Sequence, residues 1–204
     1  MQIEMGFSAV EAMLARIHNV ADDKRIAFQG RLKSLLKAGL LPHVQQGRGK
    51  AAVYGAGDVA ILALALEFAQ MGVGPERAVE IISSNMQEIV RSVLHSVRMQ
   101  DSNVGEAGWS PAIIFFDPNG LAPLYPPEAD QGVQVKFANI EEFKDEIRET
   151  LRSQGRLAVI SITAMIVEIA KRSAADIPAG MQNFAEAGFG TALVHWAKTH
   201  DLNS

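Results

Sequence analysis

Apolar residues recur at three- and four-residue steps along much of the chain, and each run ends where a helix should end. Val10, Met13, Leu14 and Ile17 share one helical face. Ser8 and Glu11 stand at the spacing of a capping box, so a helix is expected from about Ser8 to Asn19. Ala21-Asp22-Asp23 offers the next start, with carboxylates at the positive end of the helix dipole. Ile26, Leu32, Leu35 and Leu36 supply its apolar side, and Gly39 and Pro42 end it. At Gly30 this second helix either continues or breaks, leaving Arg31 to Ala38 as its inner part.

The pattern then shortens. His43 to Gln46 and Ala51 to Tyr54 are brief extended segments around Gly47-Arg48-Gly49-Lys50, which predicts a hairpin with a cationic tip. A cationic hairpin after two helices has the form of a wing, or is a solubilising surface turn. Asp58 to Phe68 is apolar nearly all round and predicts a buried helix closed by Met71-Gly72-Val73-Gly74. Beyond Pro75, the apolar positions from Ala78 to Val97 predict one long amphipathic helix, about Pro75 to Arg98. Its stripe packs either on a second subunit or on the C-terminal half of the same chain.

The composition shifts after Gln100, and the stretch to Glu106 is the expected linker. Ala112 to Phe116 predicts a buried strand, Asp117-Pro118-Asn119-Gly120 a turn, and Leu121 to Leu124 a returning strand. Val133 to Phe137 alternates as a half-exposed strand does. Asn139 caps a helix with Ile140, Phe143, Ile147 and Leu151 as its seam and Glu141–Lys144, Asp145–Arg148 and Glu149–Arg152 as pairs on its wet side. Leu157 to Ile162 is a strand followed by a helix from Thr163 to Arg172, or the two are one helix; Thr191 to Lys198 is a final short helix. The fold class that follows is α+β: a mostly helical N-terminal winged helix-turn-helix with a small β-hairpin (1–74), a long connecting helix (75–100), and a small α+β domain (107–204).

Charge sharpens this picture. The net charge of −4 averages two unlike parts. Lys24 to Gly57 holds seven basic residues and no acid, while from Asp58 onward 19 acids face 11 bases. Such a basic segment is the footprint of a localised phosphate-binding surface, or a solvated face with no partner. The chain has no cysteine, which removes disulfides and thiolate chemistry, and its five histidines show no metal-ligand spacing. No cofactor or metal is expected. Nothing in the sequence marks a transmembrane or export segment, so a cytoplasmic, non-membrane protein is expected.

The chemistry of an enzyme is weakly represented. There is no phosphate loop, no Gly-x-Ser-x-Gly elbow and no His-Glu-x-x-His motif. Asp117 and His195 are the remaining acid–base candidates, without a spacing to support them. Trp109, Phe115, Phe116, Tyr125 and Trp196 either line a ligand pocket or, the commoner use, pack a core.

Taken in order, Ala38-Gly39-Leu40-Leu41-Pro42, Tyr54-Gly55-Ala56-Gly57-Asp58-Val59, and Phe68-Ala69-Gln70-Met71-Gly72-Val73 with Glu76 to Ile82 resemble the DNA-binding domain of the MerR family. The resemblance is best over Arg31 to Ile82. Lys33-Ser34-Leu35 stands where the family has Arg-Tyr-Tyr, and Ala52 where many members have an arginine. What it implies is a DNA-binding transcriptional regulator whose second helix enters the major groove. Lys24, Arg25, Gln29 and Arg31 would meet bases or phosphates, Gln29 being suited to adenine, and Lys33 and Lys37 would meet the backbone. Arg48 and Lys50 would be wing contacts, beside the wing tyrosine, Tyr54. The expected partners are double-stranded DNA and a second copy in a homodimer, with transcription machinery or a small-molecule effector at the C-terminal part. The alternative is an excisionase-like or phage-type architectural or protein-interaction module; an enzyme with its site in the C-terminal part is the third reading.

Overall fold

The computed structural model describes residues 3–44, 51–101, 110–117, 133–153, 155–173 and 182–201. The expected mixed α+β class is what it shows, with helices dominating and two small antiparallel sheets. The N-terminal part runs β1 (Met5–Gly6), α1 (Phe7–Ile17), α2 (Arg25–Lys37), β2 (Val53–Tyr54), α3 (Ala56–Gln70) and α4 (Pro75–Ser84). It continues through α5 (Met86–Asp101), β3 (Ala112–Phe116), β4 (Lys136–Asn139), α6 (Ile140–Ser153), β5 (Ala158–Ser161), α7 (Ile162–Ser173) and α8 (Gln182–Asp201).

The first three helices end in the same way. Asn19, Gly39 and Gly72 take positive φ, and the next residue donates back across the last turn: Val20 N–H to Ala15, Leu40 N–H to Leu35, Val73 N–H to Phe68. This Schellman closure satisfies carbonyls that would otherwise face solvent, and the left-handed φ explains glycine at two of the three sites. Their beginnings differ from expectation. Gly6 is the N-cap of α1 and makes no side-chain cap. The Ser8–Glu11 box is therefore not the start signal, because Glu11 is drawn inward to Arg25 instead. Asp22–Lys24 is a 3-10 turn, α2 continues straight through Gly30, and Ile26 is 85% exposed while Phe28 is buried in its place.

Of the hairpin predicted between His43–Gln46 and Ala51–Tyr54, the second segment holds a strand at Val53–Tyr54, and the first is not extended at His43–Val44. Pro42–Val44 forms a 3-10 turn closed by Val44 N–H to Leu41 and anchored by buried Val44. Val53 and Tyr54 pair with the N-terminal strand, Met5 opposite Tyr54 and Gly6 opposite Val53. The remainder of the predicted turn, with Arg48 and Lys50, lies outside the described residues.

The long helix expected from Pro75 to Arg98 is two helices divided at Asn85. The Asn85 side-chain amide donates to the carbonyls of Ile81 and Val133, and its oxygen accepts Val135 N–H at 2.9 Å. One side chain thus ends α4, starts the turn into α5 and secures the segment before β4. That capture also explains why β4 begins at Lys136 and not at Val133. Beyond it, α5 packs on α7, α8, β3 and β4, so its stripe is buried in the chain's own C-terminal half.

Strand β3 lies between β4 and β5, antiparallel to both, with Ile114 opposite Phe137 and Ile160. Every residue of β3 is buried, as a central strand covered on both faces requires. Ala112, Ile114 and Phe116 join the main core, and Phe116 meets Phe68 of α3 edge-on at 4.9 Å. On the other face Phe115 meets Phe143 of α6. Helix α6 is capped by the expected Asn139, whose side chain accepts from the N–H groups of Glu141 and Glu142 while its own backbone N–H donates to the Glu142 carboxylate. Its predicted seam is incomplete, because Leu151 is 52% exposed and Thr150 is buried instead. The strand-then-helix alternative holds for β5 and α7, and α8 is longer than its predicted core from Thr191 to Lys198.

The boundary drawn near residue 100 does not separate two cores. Helix α1 packs on α7, α3 packs on α7 and α8, and buried residues from Val10 to Leu193 form one cluster. At the joint, Gly57 of α3 lies directly under the Trp196 ring of α8. Phe115 and Phe116 are buried in packing, and Trp196 packs partly against the core; Trp109 and Tyr125 lie outside the described residues. Among the described residues no helix is long and apolar enough to cross a membrane, and no group of three or more His, Cys, Asp or Glu is placed to hold a metal.

Candidate nucleic-acid interface

Helix α2 divides its basic residues between two uses. Phe28, Leu32 and Leu35, at steps of four and three, form the buried stripe that docks the helix. Arg25 lies on the α1 side of that stripe and makes a two-point contact with Glu11, Nε to Oε1 at 2.7 Å and Nη2 to Oε2 at 2.8 Å. Glu11 is only 4% exposed. A carboxylate so enclosed needs a fixed cation, and the planar guanidinium fork meets both oxygens at once. The Arg25 hydrogen bond holds the Glu11 carboxyl below the usual carboxylate range against the opposing effect of burial, and Gln29 adds a further bond to it. Arg25 and Gln29, expected at DNA, are thus engaged in fastening α1 to α2.

Tyr54 also moves from the expected surface to the interior. It is 2% exposed beneath the tilted ring of Phe7, and burial together with the nearby Asp58 charge pushes its hydroxyl pKa up. Asp58 accepts the Gly55 N–H at 2.8 Å and the His43 Nε2 contact at 2.8 Å, so it caps α3 and holds the preceding turn.

The outward side of α2 is different in kind. Arg31, Lys33 and Lys37 are exposed, and none of them meets a carboxylate among the described residues. The helix itself contains no acid. Lys24, at its N-terminal edge, is exposed and pairs with Asp23 at 2.9 Å. Between the cations lie Ile26, Ala27, Gly30 and Ser34, all exposed. A β-carbon at Gly30 would meet nothing within 4 Å, so at the centre of this face the helix backbone is open to close approach. Arg31, Lys33 and Lys37 thus lie on one helix, with Lys24 at its N-cap; Arg48 and Lys50 lie outside the described residues.

Two clefts flank this face where α2 meets the end of α3. One, of about 320 Å³, is lined by His18, Val20, Lys24, Phe28, Arg31 and Leu66 among others. The second, of about 460 Å³, shares Ala27, Arg31 and Ala69 with it. His18 was not singled out by its sequence position; its side chain is 9% exposed, burial pushes its pKa down, and its Nε2 has no hydrogen-bond partner. A third cleft, of about 490 Å³, holds Asp58, His195 and Trp196 between the start of α3 and α8. Asp117 lies instead against Arg156, 3.7 Å away, so the acid–base pair considered with His195 has a different local partner.

Comparison with known proteins places no family model, no curated protein and no solved structure on this chain.

Proposed function

We propose that this chain is a DNA-binding regulator that engages duplex DNA through the outward face of α2, in a MerR-like winged-helix arrangement. The observation that carries the reading is the segregation of charge on that helix. One cation is consumed by a buried carboxylate, while Arg31, Lys33 and Lys37 are all exposed on a helix with no acid, Lys33 and Lys37 on its outermost side and Arg31 on the flank toward α3. An α-helix with its side chains is about 10–12 Å across and the B-DNA major groove about 12 Å wide, so such a face can enter it. The open backbone at Gly30 allows close approach, Ile26 offers an apolar contact of the kind a thymine methyl accepts, and the three cations supply phosphate contacts. Arg48 and Lys50, from the stretch before β2, are the proposed wing contacts.

A two-fold dimer fits this reading, because one small module buries little surface on DNA. Its interface has to be sought away from the apolar stripe of α5, which the chain's own C-terminal half already covers. The test is binding to a random-sequence duplex by fluorescence anisotropy at two salt concentrations. The Arg31→Ala/Lys33→Ala/Lys37→Ala variant is compared with a Lys144→Ala/Arg148→Ala/Arg152→Ala control on α6. Loss of three phosphate contacts lowers the salt slope by about 2.7, at roughly 0.9 per contact. Equal binding by the two variants would refute the assignment to α2.

A further inference from the structure

The flank of α2 carries a second kind of site. The cleft of about 320 Å³ has an apolar floor from Val20, Phe28 and Leu66, and a cationic rim from Lys24 and Arg31. Arg31 meets no carboxylate among the described residues, and Lys24 is held only by an exposed pair with Asp23. The wall contains His18, nine-tenths buried. Gln70 Nε2 lies 3.0 Å from its Nδ1, and the same amide donates to Glu67, the acid beside the cleft. With Nδ1 accepting from Gln70, the neutral ring carries its proton on Nε2, and that buried donor has no partner. An apolar floor and a two-cation rim are complementary to one class of molecule: a hydrophobic body ending in an anionic oxygen group. The volume matches the lower end of the range that small-molecule sites occupy.

We propose that this cleft binds a small amphipathic organic carboxylate, its anionic group between Lys24 and Arg31 and its apolar body on Phe28 and Leu66. Such a ligand takes Arg31 away from the outward face of α2, so it competes with DNA. The occupancy stands on the cleft alone; the competition rests on the proposed function.

The probe is 2-naphthoate, with uncharged 2-naphthamide as its control, titrated calorimetrically into the full chain. Naphthoate should bind saturably and about tenfold or more tighter than the amide, the ratio expected for about 1.4 kcal/mol of charge recognition. Arg31→Gln should bring naphthoate down to the level of the amide. Ala69→Leu, which fills the cleft from the α3 side, should abolish binding of both with the thermal transition retained. If Ala69→Leu does not fold, Ala27→Leu fills it from α2. Naphthoate should displace a duplex from the wild type and not from Ala69→Leu. Equal affinity for acid and amide, binding that survives both filling variants, or no saturable heat with folded wild type would each overturn the site. If the duplex does not bind at all, the calorimetry still decides the cleft, and only the competition falls with the proposed function.

Discussion

Replacing Gly57 with alanine tests whether the N-terminal helices and α8 share one core. A β-carbon at position 57 falls within the van der Waals radii of Cγ, Cδ1 and Cδ2 of Trp196. Ordinary carbon contacts lie at about 3.5–4.0 Å, and Cγ is the root of the ring, so turning the ring about χ2 does not clear it. Either α8 or α3 shifts, or the Trp196 side chain leaves its packed rotamer. Overpacking of this kind costs about 1–3 kcal/mol. Against it stands the helix-propensity gain of alanine over glycine, at most about 1 kcal/mol and less in a first turn. The net expectation is a destabilisation of about 1–2 kcal/mol, which for a chain of this size lowers the melting temperature by about 2–8 °C. The assay is urea and thermal unfolding of Gly57→Ala, Trp196→Ala and the double variant. With Trp196 removed, Gly57→Ala should become neutral or slightly stabilising, giving a coupling of about 1 kcal/mol or more. An identical effect of Gly57→Ala in both backgrounds would show that the close approach of α3 and α8 is wrong.

Three further outcomes follow from the same geometry. Gly30→Ala should raise stability by about 0.5–1 kcal/mol, because the site is helical and open, whereas Gly39→Ala should lower it by about 1 kcal/mol, its φ being +95°; opposite shifts in urea midpoint check the pair. Glu11 is held below its ordinary pKa of 4.5, so its contribution is fully present above that value and is lost as pH falls through the folded-state pKa. Glu11→Gln should therefore flatten the loss of stability between neutral and acidic pH, read from urea midpoints across that range; an unchanged pH profile would remove the ion pair from the account. Asn85→Ala leaves Val135 N–H and the Val133 carbonyl without their side-chain partner, while the Ile81 carbonyl keeps the backbone N–H of residue 85, and should cost about 1–3 kcal/mol, with earlier amide exchange at Val135 as its local signature.

Periodicity carried the helices well where packing follows a simple stripe. The ends of α1, α2 and α3 were legible because Asn19, Gly39 and Gly72 occupy positions whose φ few other residues adopt. Where periodicity was ambiguous, tertiary contacts decided. Ile26 and Phe28 are both apolar and two residues apart, and only Phe28 falls in step with Leu32 and Leu35. The apolar steps on either side of Asn85 continue unbroken, so nothing local announces the break; it is made by hydrogen bonds to a segment nearly fifty residues later. The partner of β2, which itself falls within the predicted Ala51–Tyr54 segment, was hidden for the same reason, since a two-residue strand at Met5–Gly6 carries almost no pattern of its own.

The site was legible at the level of composition and not of roles. Lys24 to Gly57 stands out as basic from charge alone. Which arginine of α2 is spent inside depends on Glu11, fourteen residues before Arg25 and on another helix, a relation no local spacing expresses. Tyr54 is suited to a phosphate or to a core, and the pairing of β1 with β2 sends it inward.

Lysine reactivity in the presence of a duplex decides whether the outward face of α2 meets DNA. Limited acetylation of the free chain and of its duplex mixture at low salt, read residue by residue by mass spectrometry, compares sites that all face solvent. Duplex should protect Lys33 and Lys37 while Lys136, Lys144, Lys171 and Lys198 react as before. Unchanged reactivity at Lys33 and Lys37, or protection centred on Lys136 and Lys144, would contradict binding through α2.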